Sequence, residues 1–355
     1  MKVRLGDVAT YINGYAFKPE DWSDSGLPII RIQDLTGNSY KTNRFSGKYD
    51  KKFEVNDGDI LISWSASIGV YIWRGEKAIL NQHIFKVKFD KQVNICKKFF
   101  IYQVENILKK AILETHGATM KHLTKPVFDS LPFYLPDIKK QNEISAILDK
   151  ISEIISLRQQ QLKKLDELVK SRFIEMFGKA QVNPRNFTIM PWEKVFFTTT
   201  GKLDSNAMVE DGQYPFFTCA KEIFKIDTYA FDCEALLLAG NNAAGIYDVK
   251  YYKGKFNVYQ RTYVLRLTNS RWSYQLFKKQ LEDKLLYLQT KSKGTNTRYL
   301  TMGILKELQF LVPPITLQNE FAHFVEQTDK SKLEIQKSLD KLEILKKSLM
   351  QQYFG

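Results

Sequence analysis

The four histidines, His83, His116, His122 and His323, are the first residues to weigh, because imidazole is a common metal ligand and titrates near neutrality. They are scattered, with none of the spacings that converge on one ion, so strand and surface roles are expected and no metal site. Glu282, Asp283 and Lys284 have the E-x-K order of some nucleases. They lie in an amphipathic helical stretch, where a solvated charged face is the simpler reading. Cys96, Cys219 and Cys233 are odd in number and form no C-x-x-C pair, which argues against a disulfide framework and a zinc knuckle. The sequence contains no phosphate-binding G-x-x-x-x-G-K-[ST], no G-x-G-x-x-G after a strand, no H-E-x-x-H and no G-x-S-x-G. The Asn-Pro-Pro-aromatic motif of amino-methyltransferases is missing as well: Asn183-Pro184 runs into Arg185, and Pro313-Pro314 lacks the Asn. No catalytic residue is therefore expected.

What the sequence does carry is charge. Against 39 acidic residues stand 53 Lys and Arg, a formal net charge of +14, which points to a polyanionic partner. With 355 residues, 44% hydrophobic and 26% charged, the chain has the balance of a folded protein and the length of two domains or two large repeats. No apolar run approaches the ~18 residues of a membrane span, and the start MKVRLGDVAT lacks the apolar core of a signal peptide. A reduced, cytoplasmic protein without a membrane partner is expected.

The elements that must position any site come twice. LPDIKKQNEISAIL starting at Leu135 matches VPPITLQNEFAHFV starting at Val312, 177 residues later, and the register holds through Phe177-Gly178 and Phe354-Gly355. Upstream, G-x-x-x-x-x-L-T at Gly117 faces the same pattern at Gly294. Farther back, Asp59 to Ser63 followed by Ile68 to Tyr71 parallels Ala235 to Ala239 followed by Ala244 to Tyr247. Strands are predicted over 27–32, 60–63, 70–73 and 83–89 with a helix over 97–113, and in the second half strands over 192–195, 214–217 and 259–267 with a helix over 274–288. Each half then becomes amphipathic with an apolar residue every three to four positions, predicting a helix of roughly 37 residues and about 55 Å, stopped by glycine. Each apolar stripe exceeds what a small domain can cover, so the two helices are expected to pack antiparallel in a pseudo-twofold.

On the duplicated P-x-x-x-x-Q-N-E helix starts, the duplicated G-x-x-x-x-x-L-T segments, and Leu5-Gly-Asp-Val8 followed by G-x-x-F at Gly14, the chain resembles the specificity subunit of type I restriction-modification systems. The resemblance covers the whole chain. It implies a mixed α/β protein with two target recognition domains separated by two long antiparallel helices, with boundaries at 1–136, 137–178, a linker 179–185, 186–312 and 313–355. It further implies that the protein reads a bipartite, asymmetric site in double-stranded DNA and docks two methyltransferase subunits on its helices. Gln141, Asn142, Glu143, Gln318, Asn319 and Glu320 are the expected partner contacts. Restriction or translocase subunits join in the full complex, and S-adenosylmethionine and ATP belong to partner chains, so the chain itself is expected to be non-catalytic and to hold no cofactor.

Basic residues supply phosphate affinity, while sequence is read by donors and acceptors on loops that reach base edges. The candidate readers are Arg31, Gln33, Asp34, Trp64, Ser65, Gln82, His83, Lys121 and His122 in the first half. In the second they are Thr218, Lys221, Asn241, Asn242, Tyr259, Gln260, Arg261, Thr297, Arg298 and Tyr299. Two alternatives of other classes stand beside this reading: a nonspecific nucleic-acid-binding scaffold, and a single-chain enzyme with an unrecognised site. The segment 36–52 has no recognisable counterpart in the second half, so the halves are expected to read different sequences.

Overall fold

The computed structural model describes residues 1–65, 67–114, 124–178 and 183–355. The chain divides into two compact units: residues 1–157 with 339–355, and residues 158–338.

In the first unit, β-branched and aromatic runs form two small sheets. One has the order Thr10–Asn13, Ile84–Lys88, Ile60–Ser63, Gly69–Ile72; the other has Arg44–Phe45, Leu27–Ile30, Ala78–Leu80, Glu54–Val55. The helix Lys97–Glu114 packs Phe99, Phe100, Val104 and Leu108 into a core with Tyr11, Phe85, Phe128 and Phe133. That core also takes Ile144 and Leu148 from the start of the long helix Ile138–Phe177, and it is flanked by Leu349, Tyr353 and Phe354 from the end of the long helix Ile315–Phe354.

The second unit has the same strand order fused into one six-stranded sheet: Phe196–Thr200, Thr262–Leu267, Phe231–Ala239, Val249–Val258, Tyr214–Phe217, Phe224–Ile226. The ten-residue strand Val249–Val258 is the reason for the fusion, since it occupies the places that Gly69–Ile72 and Ala78–Leu80 share in the first unit. Trp192–Val195, expected as a strand, is a single helical turn whose Trp192 and Val195 are buried. The expected helix over 274–288 is two, Tyr274–Glu282 and Leu285–Lys291, broken at Asp283 and Lys284.

Both long helices run 40 residues, about 60 Å. Within the second unit their partners run in opposite order: Phe177 and Phe173 meet Phe321 (5.6 Å each), Arg172 pairs with Glu320 (2.6 Å), and Asp166 with Lys332 (2.7 Å). The helices are antiparallel, as the apolar stripes required. Gly178 ends the first in the left-handed region, φ +77°.

Two comparisons within the repeat are corrected. Arg44–Phe45 pairs with Leu27–Ile30 as Phe224–Ile226 pairs with Tyr214–Phe217, so part of 36–52 does have a counterpart. The true partner of Gly69 is Asp248 rather than a residue within 244–247, because Gly69 pairs with Ser63 while the Ala239 amide donates to the Asp248 carbonyl. The loop after the central strand is therefore longer in the second unit.

Candidate nucleic-acid interface

In the second unit, backbone hydrogen bonds gather four segments at one end of the sheet. The Tyr259 amide donates to the Phe217 carbonyl (2.9 Å), the Gly240 amide to the Arg261 carbonyl (2.9 Å), and the Leu300 amide to the Gly240 carbonyl (2.8 Å). The longer loop uses its extra length to form a two-residue ladder, Asn241 opposite Tyr299 and Asn242 opposite Arg298. This brings Thr218, Asn241, Asn242, Tyr259, Gln260, Arg261, Arg298 and Tyr299 together, with Thr297 and Lys221 exposed on the adjoining loops. Tyr263 holds the ladder in place by donating to the Leu300 carbonyl (3.0 Å), and burial pushes its hydroxyl pKa up, so it stays a donor.

The side chains divide by what they already bond. Thr218 is buried and accepts from the Ala220 amide (3.1 Å), and Asn242 accepts from the amides of Ala244 (2.9 Å) and Ile246 (3.3 Å), so both build turns. Gln260 donates to Asp204 (2.6 Å) and Arg298 to the Gln289 carbonyl (3.2 Å). Arg261 is exposed and, among the described residues, its guanidinium has no hydrogen-bond or ionic partner.

The first unit builds the same edge by three bonds that the second unit shares, the third in the second unit being that of the Gln260 amide to the Leu203 carbonyl (2.8 Å). The Asn81 amide donates to the Ile30 carbonyl (3.1 Å), the Gln82 amide to the Tyr15 carbonyl (2.8 Å), and the Trp64 amide to the His83 carbonyl (3.3 Å). Trp64 stacks on Phe85 (5.7 Å) and meets the His83 ring edge-on (4.9 Å). Ser65 and Gln82 are half-buried beside them, and Gln33 is exposed. Arg31 and Asp34 depart from the expected role. They pair at 3.2 Å, the Arg31 guanidinium also donates to the Lys41 carbonyl (2.6 Å), and Asp34 accepts from the Arg31 amide (2.8 Å), so the pair closes a turn and anchors a loop. Lys121 and His122, with Gly117, lie outside the described residues.

The Q-N-E helix starts are resolved by burial. Gln141 is fully buried; it accepts from the Cys96 amide (2.8 Å) and donates to the carbonyls of Asn94 (3.0 Å) and Pro136 (2.9 Å). Gln318, also fully buried, accepts from the Ser273 amide (3.0 Å) and donates to the Pro313 carbonyl (2.8 Å). These two are internal pins, not surface contacts: they fix the first long helix to the loop before Lys97–Glu114 and the second to the loop before Tyr274–Glu282. Asn142, Glu143, Asn319 and Glu320 are exposed, Glu320 being held by Arg172.

A second pair at the same spacing was not recognised from sequence. Gln280 is buried and grips both the amide (2.7 Å) and the carbonyl (2.9 Å) of Leu311. Gln103, 177 residues earlier, faces both backbone groups of Tyr134 once its carboxamide is turned so that nitrogen meets oxygen. Identity of a buried-type glutamine at the repeat offset was the available signal.

Glu282, Asp283 and Lys284 do not converge: Glu282 pairs with Lys278, Asp283 with Lys279, and Lys284 covers the Phe310 ring (5.4 Å). Among the described residues no group of three or more His, Cys, Asp or Glu is arranged to hold a metal, and no helix is long and apolar enough to cross a membrane.

The family model described as type I restriction modification DNA specificity domain matches residues 1–167 and again 186–345. The chain belongs to this family. Among curated relatives, the EcoDI specificity subunit of Escherichia coli is 41% identical over 117 residues, 32% of this chain and 25% of that protein. The EcoBI specificity subunit of the same organism is 26% identical over 208 residues, 58% and 42% of the two chains. The MjaVIII specificity subunit of Methanocaldococcus jannaschii is 27% identical over 191 residues, 52% and 43%. The chain thus spans less than half the length of these relatives. Its fold is shared with the S subunit of a type I restriction-modification system from M. genitalium, at TM-score 0.65 and 15% identity over 100% of this chain and 96% of that one. A chain from a structure of type I R-M complex assembly and conformational transition is similar at TM-score 0.55 and 14% identity, covering 100% and 97%.

Proposed function

We propose that this chain is the DNA sequence-recognition subunit of a type I restriction-modification complex, each unit reading one half of a bipartite, asymmetric site. The observation that carries this reading is the repeated edge: the same three backbone hydrogen bonds build it in both units, with different side chains displayed on each. A duplicated scaffold with divergent polar tips suits two different half-sites, and the net charge of +14 suits a phosphate backbone. The names of the curated relatives support the same assignment.

Methyltransferase subunits, two in number, would dock on the long helices, which expose Ile147, Leu157 and Leu168 on the first and Leu333, Ile344 and Leu345 on the second. In this reading the chain does no chemistry itself; S-adenosylmethionine and ATP act on the methyltransferase and on the restriction or translocase subunits, and the complex works in the cytoplasm. Co-expression with a methyltransferase subunit, followed by sequencing of modified bases, tests it. A bipartite methylated motif with an unspecified spacer is expected. Methylation without a motif would leave the scaffold reading, and modification by the isolated chain would leave the enzyme reading.

A further inference from the structure

Resting on that reading, the two edges can be superposed residue by residue through their hydrogen bonds, and the result singles out one short turn in each. Asn81, Gln82 and His83 take the places of Tyr259, Gln260 and Arg261. The first residue of each triplet donates to the end of the neighbouring parallel strand, at Ile30 or Phe217. The second donates to the loop after the edge strand, at Tyr15 or Leu203 (2.8 Å in both). The third accepts from the residue after the central strand, Trp64 or Gly240.

The turn is locked by glycines. A Cβ at Gly14 would lie 1.9 Å from the Asn81 carbonyl oxygen, one at Gly201 1.9 Å from that of Val258, and one at Gly240 2.2 Å from that of Arg261. No side chain fits at Gly14 or Gly201, and Gly240 is closed in the second unit only, its place in the first being held by Trp64, so the backbone of each turn is held at the edge strand and its own side chains are the part that varies. His83 holds a left-handed conformation, φ +72°, which is uncommon outside glycine although histidine adopts it more readily than most residues.

Within the triplets the free hydrogen-bonding groups differ. Gln260 is tied to Asp204, and the residue in the place of Asp204 in the first unit is Ala16, which has no group to offer. The Gln82 carboxamide consequently has no hydrogen-bond partner among the described residues, and in the second unit the charged group without a hydrogen-bond or ionic partner among them is the Arg261 guanidinium. A carboxamide presents one donor and one acceptor, matching adenine N6 and N7; a guanidinium presents two donors, matching guanine O6 and N7.

We propose that these turns are the base-reading elements of the two units, with Gln82 reading an adenine in one half-site and Arg261 a guanine in the other. The Gln260–Asp204 pair positions the second turn and reads nothing.

The test uses the full chain assembled with its methyltransferase subunits, with modified bases sequenced genome-wide. The parent complex must first show a bipartite motif; if it does not, the proposed function fails and not this inference. Given that motif, Arg261→Ala should relax one G·C position in one half by roughly tenfold to a hundredfold and leave the other half unchanged. Gln82→Ala should relax one A·T position in the opposite half by a similar factor. Arg261→Lys keeps the charge but loses the fork, and should relax the same G·C position. If Lys instead preserves the parental motif, Arg261 is a phosphate anchor and the inference is overturned. It is equally overturned if Gln82→Ala and Arg261→Ala both leave the motif intact, if either relaxes both halves, or if complexes that remain assembled lose all methylation.

Discussion

Gln280 offers the sharpest test of how the scaffold holds its reading edge. Its carboxamide is the partner of both backbone groups of Leu311, a buried residue in the strand Gln309–Val312 that leads into the second long helix. The other edge of that strand pairs with Thr188–Pro191, so Leu311 turns its amide and carbonyl toward Gln280. Gln280→Leu keeps the volume and removes both partners, stranding one buried donor and one buried acceptor. At about 1–3 kcal/mol for each unsatisfied group, the second unit should lose about 2–6 kcal/mol. Native-state hydrogen exchange by mass spectrometry is the suitable assay, because a two-unit chain need not unfold in one step and local free energies are what it reports. Peptides covering Tyr274–Glu282 and Gln309–Val312 should exchange at least about thirtyfold faster. A loss below about 1 kcal/mol would show that the clamp is dispensable and refute the view that buried glutamines fix these joints.

Burial pushes the Glu105 carboxyl up, against the opposing pull of Lys109 and Lys346. A raised acid binds its proton more tightly when folded, so its contribution is present at low pH and is lost as pH rises through the folded value. Glu105→Gln should match the parent near pH 4 and become progressively more stable than it toward about pH 8; a Tm difference that does not grow with pH contradicts this. Residues 1–178 alone should form a homodimer, because Phe177 of one copy can occupy the seat where Phe354 packs on Phe99 (5.4 Å) in the intact chain. Each large apolar side chain so covered contributes about 1.5–3 kcal/mol, and a monomer at micromolar concentration by analytical ultracentrifugation would contradict it. In that dimer Val169 and Phe173 form the seam, and Leu168, 48% exposed in the full chain, does not.

The duplication was legible because the pattern survives where packing demands it. The apolar stripes gave both long helices and their direction, Gly178 the stop of the first, and the β-branched runs the central strands. What failed did so locally. Trp192–Val195 has the residue types of a strand, yet its Trp192 amide bonds back to Leu308 and tertiary contacts wind it into a turn. The strand Val249–Val258 was missed because its lysines and glycine mask the apolar alternation. Gln141 and Gln318 look like surface residues by type; only the orphan backbone groups around them, which no sequence pattern displays, require them inside. The candidate edge was found as a set, but the division between Thr218, Asn242 and Arg31, whose side chains close turns with backbone groups two to ten residues away, and Gln82 and Arg261, whose side chains bond nothing among the described residues, is set by local turn geometry that residue type does not display.

The central claim is that each unit specifies one half of a DNA site independently of the other. Replacing residues 186–310 with the equivalent segment of a related specificity subunit, and sequencing the modified bases made by the assembled complex, tests it directly. The account predicts a hybrid motif in which one half is unchanged and the other is that of the donor. A motif altered in both halves, or the parental motif retained in full, would contradict it.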